Sequence, residues 1–355
     1  MPLLAGSVLE FPLGILAGQG RGRQRAILGG GLVFIAALVA AAAARSFGAL
    51  LVAFVIFFPA SGAFVSLTQS ALMDADPGRR VQHMARWNLA GSAGAVAGPL
   101  LLVAVLAGGG SWRTGYLLLA GCAAGAWLGS AVAGPRGATA PHGPNGPHVT
   151  IAPLSPDEPA GGRGLAAARE IIRVLRHGEA VRWAVLTELA NFLLDVLTGF
   201  LALYFVDVVH ATPAQAALAV GVRLAAGLAA DAALVGVLGR AGALRVLRAS
   251  AVAAAALYPA FLLVPGFGPK LAVLAMLSAA TASWYPVLQA ELYRCLPGRS
   301  DIAVTLSSAA ALGGGLGPLA VGFAAERVGL TWALAVLAVV PVCVLGALKG
   351  RGAQR

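Results

Sequence analysis

Residues 84–107 read MARWNLAGSAGAVAGPLLLVAVLA, an apolar run that contains one charged side chain, Arg86. An α-helix rises 1.5 Å per residue, so a helix over this run would be about 36 Å long. The hydrocarbon core of a bilayer is about 30 Å thick and needs about 20 apolar residues to span it. The run therefore predicts a membrane-spanning helix, whose glycines permit close approach of neighbouring helices in lipid.

The composition of the whole chain points to the same environment. Its 355 residues are 59% hydrophobic and 11% charged, and the mean hydropathy is +0.84. Soluble domains carry about 25% charged residues, so this chain has too little charge to cover a water-exposed globule. A net charge of +11 would otherwise suggest a nucleic-acid partner, but aromatic residues are few and no zinc or RNA-binding motif occurs. We expect a lipid bilayer as the partner and no nucleic acid.

Apolar runs of similar length recur along the chain. Barrel strands would be about ten residues long with alternating polarity, whereas these runs are continuous and longer, which indicates helices. We therefore predict an all-α polytopic membrane protein with about eleven spans. The predicted spans are 3–18, 26–44, 48–72, 84–107, 113–133, 183–207, 214–238, 247–265, 270–293, 302–324 and 330–348.

The positions of the basic residues support this assignment of spans. If the loop near residues 19–25 is cytoplasmic, twenty of the 25 lysines and arginines fall on or near the cytoplasmic side and one, Arg223, lies near the middle of a span. The four on the other side are Arg45, Arg113, Lys270 and Arg327. This bias follows the positive-inside rule and predicts an inner-membrane protein with a cytoplasmic C-terminus.

The longest predicted loop, 134–182, separates an N-terminal helical bundle, 1–133, from a C-terminal bundle, 183–355. Its first part, 134–164, is rich in Pro and Gly and is expected to be a flexible cytoplasmic linker. In 165–178 the apolar residues follow helical spacing and the arginines lie elsewhere, which predicts an amphipathic helix on the cytoplasmic leaflet.

Short motifs recur in the two halves at offsets of 219 to 222 residues, which indicates parallel repeats. The paired motifs are Pro77-Gly78-Arg79 with Pro297-Gly298-Arg299, Gly94-x-x-x-Gly98-Pro99 with Gly313-x-x-x-Gly317-Pro318, and Gly14-Ile15-Leu16 with Gly236-Val237-Leu238. Under this offset the span 183–207 has no counterpart in the first half, and the span 3–18 is short. We therefore expect the first half to lack its first helix, through N-terminal truncation or a start codon assigned too late.

This organisation resembles the major facilitator superfamily, in which two six-helix bundles are joined by a long cytoplasmic loop. In that family's numbering the visible spans are helices 2 to 12. The family's loop between helices 2 and 3 reads G-x-L-A-D-R-x-G-R-R, and it is similar to residues 14–25 at Gly14, Leu16, Ala17, Arg23 and Arg25, with about one extra residue before Gly22. The family's helix-5 motif, G-x-x-x-G-P, is matched by Gly94, Gly98 and Pro99.

Two positions depart from the family pattern. Gly18 stands where the family has an acidic residue, and Phe58 stands near the position of a helix-4 arginine found in many members. In the family, the loop carboxylate helps to lock the outward-closed state. We expect this lock to be weaker here or to be built from other groups.

The motif residues also have a physical reading of their own. Gly and Pro in helices 5 and 11 allow the bending and close approach that rocking helices need. In the loop between helices 2 and 3, Gly22 permits a tight turn, and Arg23 and Arg25 hold lipid phosphates on the cytoplasmic side.

Ionisable residues inside a membrane are costly and usually functional. The resemblance implies that helices 1, 4, 7 and 10 line a central cavity. Predicted helix 7 carries Glu188, Asn191 and Asp195 on one face. Asp195 lies near mid-span and is the first candidate for a proton or substrate site. Its alternative is a structural role, and the alternative for Glu188 is an interfacial pair with Arg182.

Predicted helices 8 and 10 supply the other candidates. On helix 8, Arg223, Gly227 and Asp231 form a stripe, and Arg223 is interpreted as a partner of Asp195, as an anion-binding group or as part of a fixed structural ion pair. Helix 10 carries substrate candidates that have equally simple alternatives: packing for the aromatic residues, and solvation or gating for the acid near the cytoplasmic end. These helix-10 residues are Trp284, Tyr285, Gln289 and Glu291.

The pattern as a whole predicts a secondary active transporter that moves a small solute by alternating access. We expect a monomer, coupled to protons through Asp195 or Glu188, with export favoured over uptake. No nucleotide-binding domain, cofactor motif or metal-ligand spacing is visible, so neither ATP drive nor an enzyme is expected. The alternatives are a non-transporting protein of the same fold, either a ligand sensor or a relic, and a membrane enzyme, which would need a cluster of loop His, Asp or Glu.

Overall fold

The protein is described by a computed structural model over residues 21–133, 178–296, 302–304, 306–307, 310 and 316–349. Within these residues it is helical throughout and contains nine helical stretches long and apolar enough to cross a membrane. These stretches are Gly22–Ala43, Phe47–Ala75, Pro77–Ala107, Trp112–Val132, Gly178–Asp207, Pro213–Leu238, Ala243–Leu263, Phe267–Cys295 and Leu330–Leu348. The prediction of an all-α polytopic membrane protein is confirmed.

Two of the eleven predicted spans are not among these stretches. Span 3–18 lies outside the described residues, as do the predicted linker 134–164 and nearly all of the amphipathic helix predicted over 165–178. Span 302–324 is described in part, and its described end forms a helix over Gly317–Val328.

The α-helices are numbered in chain order. They are α1 (Arg21–Ala43), α2 (Phe47–Ser61), α3 (Leu67–Ala75), α4 (Arg80–Ala107), α5 (Trp112–Ala133), α6 (Gly178–Asp207), α7 (Pro213–Leu238), α8 (Ala243–Leu263), α9 (Phe267–Thr281), α10 (Trp284–Cys295), α11 (Gly317–Val328), α12 (Leu330–Ala335) and α13 (Val339–Lys349).

The start of α1 differs from the predicted boundary. Gly22, Arg23 and Arg25 were predicted to form the loop before a span at 26–44, but they lie in the first turns of α1, which begins at Arg21. Within this helix Arg23 has a partner: its Nη1 donates to Oδ2 of Asp74 at 2.7 Å, with both side chains largely buried. A paired arginine satisfies its charge within the helical packing and does not need a loop in water.

Two predicted spans are interrupted. The span 48–72 contains Pro59 and a π-helical turn, Gly62–Ser66, between α2 and α3. The span 270–293 is broken at Ala282 and Ser283, between α9 and α10. Both interruptions were missed because hydropathy reports the length of an apolar run and carries no information about its hydrogen-bond pattern.

The described residues group into two compact units. The first unit falls within the ranges Met1–Arg80, Pro99–Ala184 and Leu292–Leu312. The second falls within Val81–Gly98, Val185–Glu291 and Gly313–Arg355. The N-terminal part of α4, up to Gly98, therefore belongs to the second unit, although the sequence places it in the first half.

In the first unit α1 packs tightly against its neighbours because its glycines remove side-chain bulk. A Cβ at Gly30 would lie 2.6 Å from the Cβ of Ala63, and one at Gly31 would lie 2.5 Å from the Trp127 ring. The indole Nε1 of Trp127 in turn donates to the carbonyl of Leu28 at 2.8 Å. Small residues at helix contacts are the usual means of close packing in membranes.

In the second unit a buried lysine closes the end of α8. The ammonium of Lys270, 4% exposed, donates to the carbonyls of Phe261 at 2.5 Å and Leu262 at 3.1 Å, and to the Tyr204 hydroxyl at 3.0 Å. The last carbonyls of a helix have no intrahelical partner, so this lysine satisfies groups that lipid could not. It serves packing and lies away from the candidate site.

Candidate functional site

The second unit encloses a cavity of about 190 Å³. Four helical segments supply its lining, and charged and hydroxyl-bearing side chains are interspersed with small apolar ones. The lining residues are Asn88, Ser92 and Ala95 of α4, Leu194 and Thr198 of α6, Arg223, Leu224, Gly227, Leu228 and Asp231 of α7, and Ser278, Thr281, Ala282 and Tyr285 at the α9–α10 break.

Arg223 lies on the cavity wall with its guanidinium held against α6. Its Nε donates to Oγ1 of Thr198 at 3.0 Å, and its Nη2 donates to the same oxygen at 2.6 Å and to the carbonyl of Leu194 at 3.0 Å. Thr198 itself donates to the Leu194 carbonyl at 2.6 Å. These bonds fix the plane of the guanidinium.

Asp231 lies two helical turns after Arg223 on α7 and is 4% exposed. Its Oδ1 accepts a hydrogen bond from Nδ2 of Asn88 at 2.9 Å, and its Oδ2 accepts a short one from the Ser92 hydroxyl. Both donors come from α4, so the carboxylate joins α7 to α4 at the edge of the cavity. Eight residues separate Arg223 and Asp231, which is about 12 Å along the helix axis.

The helix-7 candidates of the sequence lie together on α6, but outside the cavity lining. Nδ2 of Asn191 is 3.5 Å from Oε1 of Glu188, one turn earlier. Asp195 is exposed and interacts electrostatically with Arg223, yet within the described residues no ion pair within 4 Å joins them. The ion pair that the sequence offered as one interpretation of Arg223 is therefore not formed in this structure.

The four helix-10 candidates separate into two sets. Tyr285 lines the cavity just after the α9–α10 break. Trp284 is fully buried in helix packing, where its Nε1 donates to the Ser250 hydroxyl at 3.1 Å. Gln289 and Glu291 are 3% and 6% exposed and are absent from the cavity lining.

The glycines and prolines of the repeated motif differ in how closely they pack against other helices. A Cβ at Gly317 would overlap the ring of Phe192 of α6, so this glycine of α11 permits a close approach of two helices. At Gly94 and Gly98 of α4 a Cβ would meet no described atom within 4 Å. Pro99 lies inside α4 and Pro318 in the first turn of α11. Gly14, Leu16, Gly18 and Gly313 lie outside the described residues.

Five polar cavity residues were absent from the sequence-based site: Asn88, Ser92, Thr198, Ser278 and Thr281. The sequence offered a weak indication of them, because each is a polar residue within a predicted span. A serine or threonine in a span commonly donates to its own helix, so position alone did not separate these residues from the others. Within the described residues no group of three His, Cys, Asp or Glu is placed to hold a metal ion.

Comparisons with known proteins agree with this architecture. The sequence model of the family described as Major Facilitator Superfamily matches residues 1–290. A search of proteins of curated function found no match. Among solved structures, FucP in the outward conformation aligns with a TM-score of 0.77 at 16% identity, covering 99% of this chain and 88% of FucP.

Two further solved transporters have the same fold. The human organic anion transporter MFSD10 aligns with a TM-score of 0.72 at 19% identity, covering 97% of this chain and 83% of that one. The proton:xylose symporter XylE aligns with a TM-score of 0.69 at 14% identity, covering 98% and 84%. Together with the family match over most of its length, these likenesses show that the chain belongs to the Major Facilitator Superfamily, a family of multi-pass membrane transporters and not of enzymes.

Proposed function

We propose that this protein is a proton-coupled secondary transporter that moves a small polar solute by alternating access. The observation that carries the proposal is the cavity in the second unit, where Arg223, Asp231 and several hydroxyl groups face a shared space inside apolar helices. Ionisable residues persist at such depth where they serve a substrate or ion pathway. Transporter sites are also commonly built at interrupted helices, such as the α9–α10 break at Ala282.

Asp195 is the favoured proton site. It lies one turn from Thr198, which holds Arg223, and its carboxylate is not enclosed by the packing of the helices. Asp231, by contrast, is buried and already accepts hydrogen bonds from two side chains. FucP and XylE, which have the same fold, are described as proton symporters, and this adds to the case for proton coupling.

The sequence supplies the remaining features of the proposal. The excess of Lys and Arg on one side supports a location in the inner membrane with a cytoplasmic C-terminus. We also propose that the protein is a monomer. Export rather than uptake remains the prediction from the resemblance.

The test is solute flux in proteoliposomes that contain the purified full chain. A panel of labelled monosaccharides, their acids and amino acids is offered with and without an imposed pH gradient. We expect one class of solute to accumulate only when the gradient is present. Binding of a solute without flux would favour the alternative of a ligand sensor, and a panel without any flux would contradict transport of a small polar solute.

The substitution Asp195→Asn tests the coupling residue. We expect it to abolish gradient-driven accumulation and to retain exchange of solute across the membrane, since exchange needs no net proton movement. Asp207→Asn is the matched control because Asp207 is an exposed aspartate at the end of the same helix. Accumulation by Asp195→Asn at the wild-type level would remove Asp195 from the mechanism.

A further inference from the structure

The charge of Arg223 is oriented but not neutralised. A guanidinium has five N–H donors. The three hydrogen bonds to Thr198 and Leu194 occupy Nε and Nη2. The two donors of Nη1 make no hydrogen bond with any described residue, and within the described residues no carboxylate lies within 4 Å of this side chain. Arg223 thus presents a fixed positive charge with unused donors on the cavity wall.

An arginine in this position favours an anionic ligand. A guanidinium binds carboxylate or phosphate through charge-assisted hydrogen bonds, which are about twice as strong as neutral ones.

The part of the wall formed by the end of α9 offers acceptors and few donors. The Ser278 hydroxyl donates to the carbonyl of Leu274 at 2.8 Å, and the Thr281 hydroxyl donates to the carbonyl of Leu277 at 3.0 Å. Each hydroxyl has one hydrogen, so both present only lone pairs to the cavity. Their complement is a ligand whose body carries hydroxyl groups.

The volume of the cavity limits the size of that ligand. A water molecule occupies about 30 Å³ of liquid, so 190 Å³ corresponds to about six waters. Covalently bonded atoms lie closer together than hydrogen-bonded waters. The space therefore suits a compact solute of about the size of one monosaccharide, and it is smaller than the 300–1,000 Å³ typical of pockets for drug-sized ligands.

From this geometry we infer that the cavity binds a small hydroxylated carboxylate, with the carboxylate on Nη1 of Arg223 and ligand hydroxyls on Ser278 and Thr281. The inference deepens the proposed function and rests on it for the meaning of the site. It assigns Asp231 to joining α4 and α7, because both of its oxygens already accept hydrogen bonds. Asp195 lies outside the cavity lining, so Arg223 is the charged lining residue whose donors remain open to a ligand.

Equilibrium binding to the full chain in lipid nanodiscs tests the inference without requiring transport. The probes are D-glucuronate, D-glucose and D-glucosamine, which have closely similar rings and carry a negative, no and a positive charge. We expect D-glucuronate to bind about ten- to one-hundred-fold more tightly than D-glucose, as a charged hydrogen bond implies, and D-glucosamine to bind least. Equal affinity for the acid and the neutral sugar would overturn the inference.

Substitutions of Arg223 test whether this residue causes the preference for the acid over the neutral sugar. In Arg223→Gln we expect the ratio of the affinities for D-glucuronate and D-glucose to fall to about threefold or less, whereas Arg223→Lys keeps a preference for the acid because it keeps the charge. Arg240→Gln is the matched control, since Arg240 is exposed just beyond the end of α7. If Arg223→Gln shows no cooperative unfolding and is therefore misfolded, the affinities of the wild-type protein and of Arg223→Lys for the three sugars decide whether the inference holds. A folded Arg223→Gln that keeps the full preference would overturn the inference.

A separate variant tests the part of the cavity wall that carries the hydroxyl groups of Ser278 and Thr281. Thr281→Val removes an acceptor and keeps the side-chain shape, so we expect about a three- to tenfold weaker affinity for D-glucuronate. The affinity for cyclohexanecarboxylate, which has no hydroxyl groups, should stay unchanged. An equal loss for both acids would overturn the assignment of Thr281. If the protein binds D-glucuronate selectively but transports nothing, the proposed function is contradicted and this inference stands. If it transports a solute but does not distinguish the acid from the neutral sugar, this inference is contradicted and the proposed function stands.

Discussion

The guanidinium of Arg223 is held in place by one hydroxyl oxygen, Oγ1 of Thr198, which accepts from both Nε at 3.0 Å and Nη2 at 2.6 Å. The two residues lie on adjacent helices, α7 and α6. Thr198 turns its own hydrogen toward the Leu194 carbonyl and so presents its lone pairs to the guanidinium. The direction in which Arg223 points its unused donors is therefore decided by a residue of another helix.

We predict that Thr198→Val weakens binding of the solute without abolishing it. The charge of Arg223 remains, but two of its three hydrogen bonds are lost, and the guanidinium samples other rotamers. We expect KM to rise about three- to tenfold, which corresponds to about 1 kcal/mol of lost orientation. Thr198→Ser keeps the oxygen and should transport with nearly the wild-type KM. A valine variant that equals the serine variant would contradict a positioning role.

We predict that Asp231 and Asn88 are energetically coupled. Removing the carboxylate leaves Nδ2 of Asn88 without its acceptor, and a buried polar group left unpaired costs about 1–3 kcal/mol. The single variants Asp231→Ala and Asn88→Ala should each lower the unfolding temperature, and the double variant should lose less than the sum of the two. Ser130→Ala is the control, because Ser130 is partly exposed and its hydroxyl donates only to the Ala126 carbonyl of its own helix. Strict additivity would mean that the hydrogen bond contributes nothing measurable.

We predict that the ion pair of Arg23 and Asp74 stabilises the first unit. Its side chains are 13% and 11% exposed, so removing one partner leaves a largely buried charge. Arg23→Ala should lower stability by about 1–3 kcal/mol, and the exchange Arg23→Asp with Asp74→Arg should restore part of that loss. Arg79→Ala is the comparison, because Arg79 lies 3.9 Å from Asp76 and both are well exposed, which makes the expected change below about 1 kcal/mol. Equal effects at the two sites would contradict this account.

We predict that Gly317 tolerates no side chain while Phe192 is present. A methyl group at Gly317 would overlap the Phe192 ring, so Gly317→Ala should lower the unfolding temperature and slow transport. Gly98→Ala serves as the control, since its Cβ would meet no described atom within 4 Å. Phe192→Ala combined with Gly317→Ala should recover stability relative to Gly317→Ala alone. Failure of that rescue would show that the ring is not the obstacle.

Much of the fold could be predicted because the bilayer imposes a simple rule on sequence. A span must be about 20 apolar residues long and must satisfy its own backbone, so hydropathy locates the helices directly. The predicted spans 113–133 and 214–238 agree with α5 and α7 to within one residue at each end. The interruptions at Gly62–Ser66 and at Ala282 could not be predicted, because they depend on packing and not on apolar length.

The site was predictable only in part. Arg223 and Asp231 were identifiable because a charge in an apolar span is conspicuous. Their partners Thr198 and Asn88 were not, since a single hydroxyl or amide in a span has little cost and occurs for many reasons. The acidic position replaced by Gly18 led us to expect a different closure of the cytoplasmic side. Within the first unit, the structure shows an ion pair between Arg23 and Asp74.

The sequence by itself determined that this protein is a bundle of membrane-spanning helices with repeated halves, because the solvent selects for apolar runs whatever their neighbours are. The tertiary structure alone decided that Arg223 is held by Thr198, that Asp231 joins α7 to α4, and that Asp195 lies outside the cavity lining. These contacts depend on how far each helix is rotated about its axis and on where it is broken. Small rotations exchange which side chain faces a neighbour while leaving the apolar run, and hence its hydropathy, unchanged.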